Sequence, residues 1–333
     1  MCLHPRVRNE TVRGWLGPVA VLGALVVGCS RDAGEGGGRA DPVPVPGTEW
    51  VIESPEDNGM DPAVLDRARS YAFSEGMNTQ GVVVVRHGVI VAEWYAGRSD
   101  AESWAASWSV AKSFTSALIG IAIEEGKIPG VDEPMTTYYP WQGAGREGIT
   151  LRDVLQMSSG LEWTEDYDPA AISSSDIIQM VLFQPDQLAY ASGRPLESEP
   201  GTDWNYSSGD PMLLSGVIEQ ATGLPVDEYA REKLFEPIGM EQAEWWRDAR
   251  GHTLTYCCLD TTSRDFARFG LLYLRDGEWG TEQVVESSWV DESLERHLAP
   301  RTWGTATSGG WRASMGHLTT CSRRVATMAS TSS

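Results

Sequence analysis

The run from Trp108 to Ala122, Trp-Ser-Val-Ala-Lys-Ser-Phe-Thr-Ser-Ala-Leu-Ile-Gly-Ile-Ala, constrains the fold of this chain more than any other stretch. Small and apolar residues fill it, so it predicts a buried helix around which other elements must pack. Lys112 is an anomaly there. The chain has three lysines, Lys112, Lys127 and Lys233, and one of them lies in this apolar run. Burying an ammonium is costly, and burial lowers its pKa. Ser109 stands three residues earlier, at or just inside the helix N-terminus, so both side chains share one helical face. A neutral amine beside a hydroxyl can take its proton, and the positive end of the helix dipole favours the resulting alkoxide. The pair therefore reads as a nucleophile and its base.

The 333 residues suffice for a large core, in one large domain or two lobes. A formal charge of −21 argues against a nucleic-acid partner and for a self-repelling surface. Residues 1–28 read as a leader. Arg6, Arg8 and Arg13 form a basic segment, and Trp15 to Gly28 an apolar run too short to span a membrane. Val26-Val27-Gly28-Cys29 resembles a bacterial lipobox, which makes Cys29 the expected lipidation site. The protein is then extracytoplasmic and held to a bacterial membrane by lipid alone. Residues 29–48, rich in Gly and Pro, read as a tether. The folded unit is expected over 49–300. Cys257 and Cys258 are adjacent, and bridging them to each other is expected to need strain.

Within that unit, Asp61 caps a helix running to Glu75, with Pro62 in its first turn. Gly81 to Arg86 and Val89 to Tyr95 read as strands joined by a turn at His87-Gly88. Thr150 and Asp153 form a capping box for a short helix that ends before Gly160. Further helices are predicted over Ser175–Phe183, Pro211–Ala221, Val226–Phe235, Thr262–Arg275 and Gln283–Glu295. The order implies an α+β fold: an antiparallel sheet flanked by helices, plus a helical lobe. Trp141, Trp163, Tyr167 and Tyr190 are candidates for the cleft between the lobes. Tyr206, just before one helix start, is placed to relay protons near Lys112.

With Ser109-Val110-Ala111-Lys112, Met157-Ser158-Ser159-Gly160 and Asn205-Tyr206-Ser207-Ser208-Gly209 in view, the chain from about Trp50 to Glu295 resembles the penicillin-recognising serine hydrolases. These three phrases look most like the 6-aminohexanoate-dimer hydrolase branch. The resemblance implies a β-lactamase/transpeptidase-like fold and an acyl-enzyme on Ser109. Lys112 would be the base, and Tyr206 the proton relay. Ser208, Tyr167 and Trp163 would meet the substrate, and the Ser109 N–H would form half of the oxyanion hole. The implied substrate is a small amide, lactam or ester, with linear amides and esters preferred, and no cofactor is implied. Metal hydrolysis lacks ligands, since His87, His252, His297 and His317 are scattered.

The family's third motif, a Lys-Thr-Gly or His-x-Gly strand, is missing from its expected place. Ser308-Gly309-Gly310 and Gly316-His317-Leu318 come nearest, and neither lies in a strand-like run. Residues 301–333 contain no Asp or Glu and are crowded with Ser and Thr. They read either as a disordered tail or as a reading-frame slip that removes the C-terminal strands. The alternative function is therefore a catalytically inactive β-lactamase-like envelope lipoprotein. The substrate's identity and the oligomeric state are not legible in the chain.

Overall fold

The computed structural model describes residues 25–26, 44–141 and 145–295. Helix α1, Pro62–Ala72, opens as expected: Asp61 Oδ1 accepts from the Ala63 N–H at 2.8 Å, and Pro62 takes the first position. Strands β2, Gly81–Arg86, and β3, Val89–Tyr95, form an antiparallel hairpin. Its turn residues His87 and Gly88 both have positive φ, as a tight two-residue hairpin requires. Val82 and Val84 pack with Val89, Val91 and Leu65 of α1, while Val83, Val85 and Ile90 face the main core. A strand apolar on both faces has the character of a central strand.

Among the described residues, β2 nevertheless has only one long neighbour. Its other edge carries β1, Leu25–Val26, in parallel, with Leu25 opposite Val84 and Val26 opposite Val85. The sequence assigned these two residues to a leader outside the fold, and here they pair with it. An apolar strand with unpaired backbone groups along one edge accepts a short extended segment in this way.

A second sheet comes from β4, Trp104–Ala106, β5, Ala243–Trp245, and β6, Leu259–Thr262, in the order β4-β6-β5 with antiparallel pairing. Directly after β4, Ser107 exchanges hydrogen bonds with Leu259: its N–H donates to the Leu259 carbonyl at 2.8 Å, and its Oγ accepts from the Leu259 N–H at 3.1 Å. This anchors the chain two residues before Ser109.

One turn of 3-10 helix, Trp108–Val110, leads into α2, Ala111–Glu124, the buried helix expected from the sequence. Phe114 stacks on Phe269 with ring centroids 3.8 Å apart and meets Phe235 and Phe266 edge-on. Leu118 and Ile119 are wholly buried and contribute about 1.5–3 kcal/mol each. The remaining helices are α3, Leu151–Leu155; α4, Asp176–Phe183; α5, Gln187–Ser192; α6, Gly209–Thr222; α7, Val226–Ala230; α8, Glu236–Ile238; α9, Ser263–Leu274; and α10, Ser287–Leu294. The Thr150–Asp153 capping box is present at α3, and Thr262 caps α9 by accepting from the Asp265 N–H. Trp289 of α10 lies over α2 at Gly120, where a Cβ would come within 2.4 Å of the indole. The whole is α+β, with the hairpin layered between α1 on one face and α9 on the other.

Packing already begins within the expected tether. Pro46 is buried, and the Thr48 carbonyl accepts from Arg268 Nη2 at 2.6 Å. Arg268 is itself buried, with its guanidinium 5.3 Å from the Trp50 ring centre.

Candidate active site

Ser109, Lys112, Tyr206 and Ser208 converge where the N-termini of α2 and α6 meet. Ser109 Oγ lies 2.7 Å from Tyr206 Oη and 3.1 Å from Lys112 Nζ. Lys112 Nζ also reaches Ser208 Oγ at 3.3 Å and the Tyr256 carbonyl at 3.0 Å. Trp108, the residue before Ser109, has φ +45°, a conformation that costs a bulky side chain energy and is held by its surroundings. Ahead of Tyr206, the Asn205 N–H donates to the Met157 carbonyl and its Nδ2 to the Trp163 carbonyl. Gly160 closes the Met-Ser-Ser-Gly turn at φ +75°, and a Cβ there would lie 2.2 Å from the Ser198 carbonyl oxygen.

Desolvation lowers the Lys112 pKa to about 8, opposed by the negative charge of Glu165. Desolvation also pushes the Tyr206 phenol up to about 12, against the hydrogen bond from Ser109 and with the help of Glu165. Lys112 is thus the member of the group that changes charge near neutrality. Its three oxygen partners match the three N–H donors of an ammonium. When the amine is neutral, two donors hold the Tyr256 carbonyl and Ser208, and the lone pair is left for the Ser109 hydroxyl.

Glu165 was not foreseen from the sequence. Its Oε2 accepts from Trp163 Nε1 and from the Ser208 N–H, each at 2.8 Å. Its Oε1 accepts from Tyr167 Oη at 2.5 Å and from Ser208 Oγ at 2.8 Å. By accepting the hydrogen bond of the Ser208 hydroxyl, Glu165 leaves a hydroxyl lone pair turned toward Lys112. The alternation Trp163, Glu165, Tyr167 was the available signal, a carboxylate two residues from each of two chosen aromatics.

Of the four aromatics expected in the cleft, Tyr167 is half exposed as a residue, but its hydroxyl end is desolvated against Glu165, and this raises its phenol pKa. Trp163 is 5% exposed and packs on Gly209, where a Cβ would clash with its ring, so it forms a wall behind Ser208. Trp141 is buried and stacked on Tyr139, and Tyr190 donates to Asp176, so both belong to the helical packing. Cys257 and Cys258, expected to resist pairing, form a disulfide next to Tyr256. Cys29 and the third-motif candidates at 308–310 and 316–318 lie outside the described residues.

The sequence pattern of the beta-lactamase family matches residues 67–318. The chain belongs to that family. Among curated relatives it is 27% identical to the 6-aminohexanoate-dimer hydrolase of Paenarthrobacter ureafaciens, over 65% of this chain and 57% of the relative. It is 30% identical to the D-aminopeptidase of Brucella ovis, over 49% of this chain and 32% of that one. A solved structure of a candidate 6-aminohexanoate-dimer hydrolase from Bacillus anthracis superposes with a TM-score of 0.56 at 26% identity, covering 64% of this chain and 58% of the other. A penicillin-binding protein homologue from Pyrococcus abyssi, with a TM-score of 0.52 at 20% identity over 64% and 55% of the two chains, shares the fold. The chain spans 57% of the length of the first of these curated relatives and 32% of the second, less than two thirds of either. Its architecture is the β-lactamase/transpeptidase-like one that the sequence motifs implied.

Proposed function

We propose that this chain is a serine hydrolase that cleaves a small amide, lactam or ester through an acyl-enzyme on Ser109. The observation that carries this reading is the Ser109 hydroxyl held between Lys112 Nζ and Tyr206 Oη, with Lys112 titrating near neutrality. Neutral Lys112 takes the Ser109 proton as Oγ bonds to the carbonyl carbon. Tyr206 gives its proton to the leaving amine or alcohol, and Lys112 returns one to Tyr206. Water then attacks the ester at Ser109, the acid leaves, and Oγ regains its proton. Linear amides and esters are preferred over β-lactams, in keeping with the 6-aminohexanoate-dimer hydrolase and D-aminopeptidase among its relatives. The basic and apolar leader-like segment and the Val26–Cys29 lipobox pattern in the sequence support a location outside the cytoplasm with a tether through Cys29.

The test is the mass of the intact protein after incubation with p-nitrophenyl esters and a fluorescent penicillin. An adduct on Ser109 that Ser109→Ala abolishes is the expected result, and turnover that survives Ser109→Ala overturns the reading. Partition with membranes that Cys29→Ser abolishes is expected for the anchor. Among the described residues the far edge of β2 carries only the two-residue β1, and this favours a second reading, in which the fold is retained without turnover. That reading requires a parent chain that takes up no acyl group.

A further inference from the structure

The Met157–Gly160 turn belongs to neither the nucleophile nor its base, yet the segment that carries Tyr206 is built on it. The Met157 carbonyl receives the Asn205 N–H at 3.0 Å, and the Ser158 carbonyl receives the Gly201 N–H at 2.8 Å. On the far side of Tyr206, Ser159 Oγ donates to Asp210 Oδ1 at 2.7 Å, and the Asp210 N–H donates to Ser207 Oγ at 3.0 Å. Ser159 Oγ in turn accepts from the Leu161 N–H at 3.2 Å. Tyr206 therefore lies between two attachments to one turn, at Asn205 before it and through Ser207 and Asp210 after it. Ser159, Ser207 and Asp210 are each at most 3% exposed, so no water substitutes for these bonds from bulk.

Keeping a carboxyl there is costly. Burial pushes the Asp210 pKa up to about 7 even though Ser159 donates to it, and the Asp153 charge adds to the rise. An exposed acid at the same place would serve the α6 N-terminus without that cost. The placement has to do something that capping does not.

We propose that Asp210 and Ser159 form a buried latch that sets the position of the Tyr206 hydroxyl against Ser109, making both of them positioning residues for acyl transfer. The inference rests on the acyl-enzyme reading above. The latch acts only through Tyr206, and that separates it from a general contribution to folding.

A double-mutant cycle read at Ser109 tests this, using the p-nitrophenol burst from p-nitrophenyl acetate with the adduct confirmed by mass. Asp210→Ala and Ser159→Ala are each expected to slow acylation about tenfold to a hundredfold in the parent, the scale of a misplaced proton-transfer group. In a Tyr206→Phe background the same changes are expected to cost less than about twofold, because their target is gone. Asp210→Asn keeps an acceptor for Ser159 and is expected to restore most of the rate. If Asp210→Ala does not fold, Ser159→Ala carries the cycle. Losses that simply multiply with that of Tyr206→Phe overturn the latch and leave the acyl-enzyme standing. A parent chain with no Ser109 adduct overturns both.

Discussion

Three oxygens surround Lys112 Nζ, and a neutral amine has hydrogens for only two of them. Acylation of Ser109 is therefore expected to rise with pH through about 8, as the ammonium loses its proton and its lone pair becomes free. Burst rates between pH 6 and 10 measure this directly. Lys112→Arg, which stays charged, is expected to lose about a hundredfold or more at every pH. Glu165→Gln tests the electrostatics from the other side. The Glu165 charge holds the Lys112 pKa up, so its removal moves the midpoint of the pH profile to lower pH. A profile that moves upward would show that Glu165 acts on Lys112 chiefly through Ser208 and not through its charge.

Helix α2 presents Ser109 and Lys112 because the aromatic cluster behind it fixes its rotation. Phe114→Ala removes a ring that stacks on one phenylalanine and touches two more, and is expected to cost about 3–5 kcal/mol in urea unfolding. Several elements were legible in the chain because their local chemistry is strong. Asp61-Pro62, the His87-Gly88 turn and the Thr150–Asp153 box each mark a boundary by a cap or a turn that few other residues make. Strands β4, β5 and β6 were not foreseen, since three or four residues are too few for alternation to show. Helix α5 was missed among polar loops for the same reason of length. At the site, Ser109, Lys112 and Tyr206 were legible because a lysine in an apolar run and a tyrosine before a helix both conflict with simple packing. Glu165 raised no such conflict in an acidic loop. Its importance comes from four hydrogen bonds that only the folded chain assembles.

For the molecule as a whole, Asp210 links stability to pH. Its folded pKa of about 7 lies above the ordinary aspartate value of 3.8, so the folded state holds the proton more tightly. That contribution is complete below about pH 4 and is lost as pH rises through 7. Asp210→Asn is accordingly expected to gain thermal stability over the parent from pH 5 to pH 8, and a constant offset across that range would refute the linkage. The pairing of Leu25–Val26 with β2 gives a second molecular expectation. A chain starting at residue 29 is expected to exchange edge amides of β2 with deuterium faster than the full chain, while β3 stays protected.

Trp289 resting on Gly120 also sets a timetable for synthesis. Helix α2, which follows Ser109, leaves the ribosome early, and the indole that closes its exposed flank follows on the order of ten seconds later at ordinary elongation rates. Until then α2 is an apolar rod with one side bare. The part of the chain that carries Ser109 therefore cannot finish folding before most of the polypeptide has been made. A nick or premature stop ahead of α10 would be felt at Ser109, far earlier in the sequence.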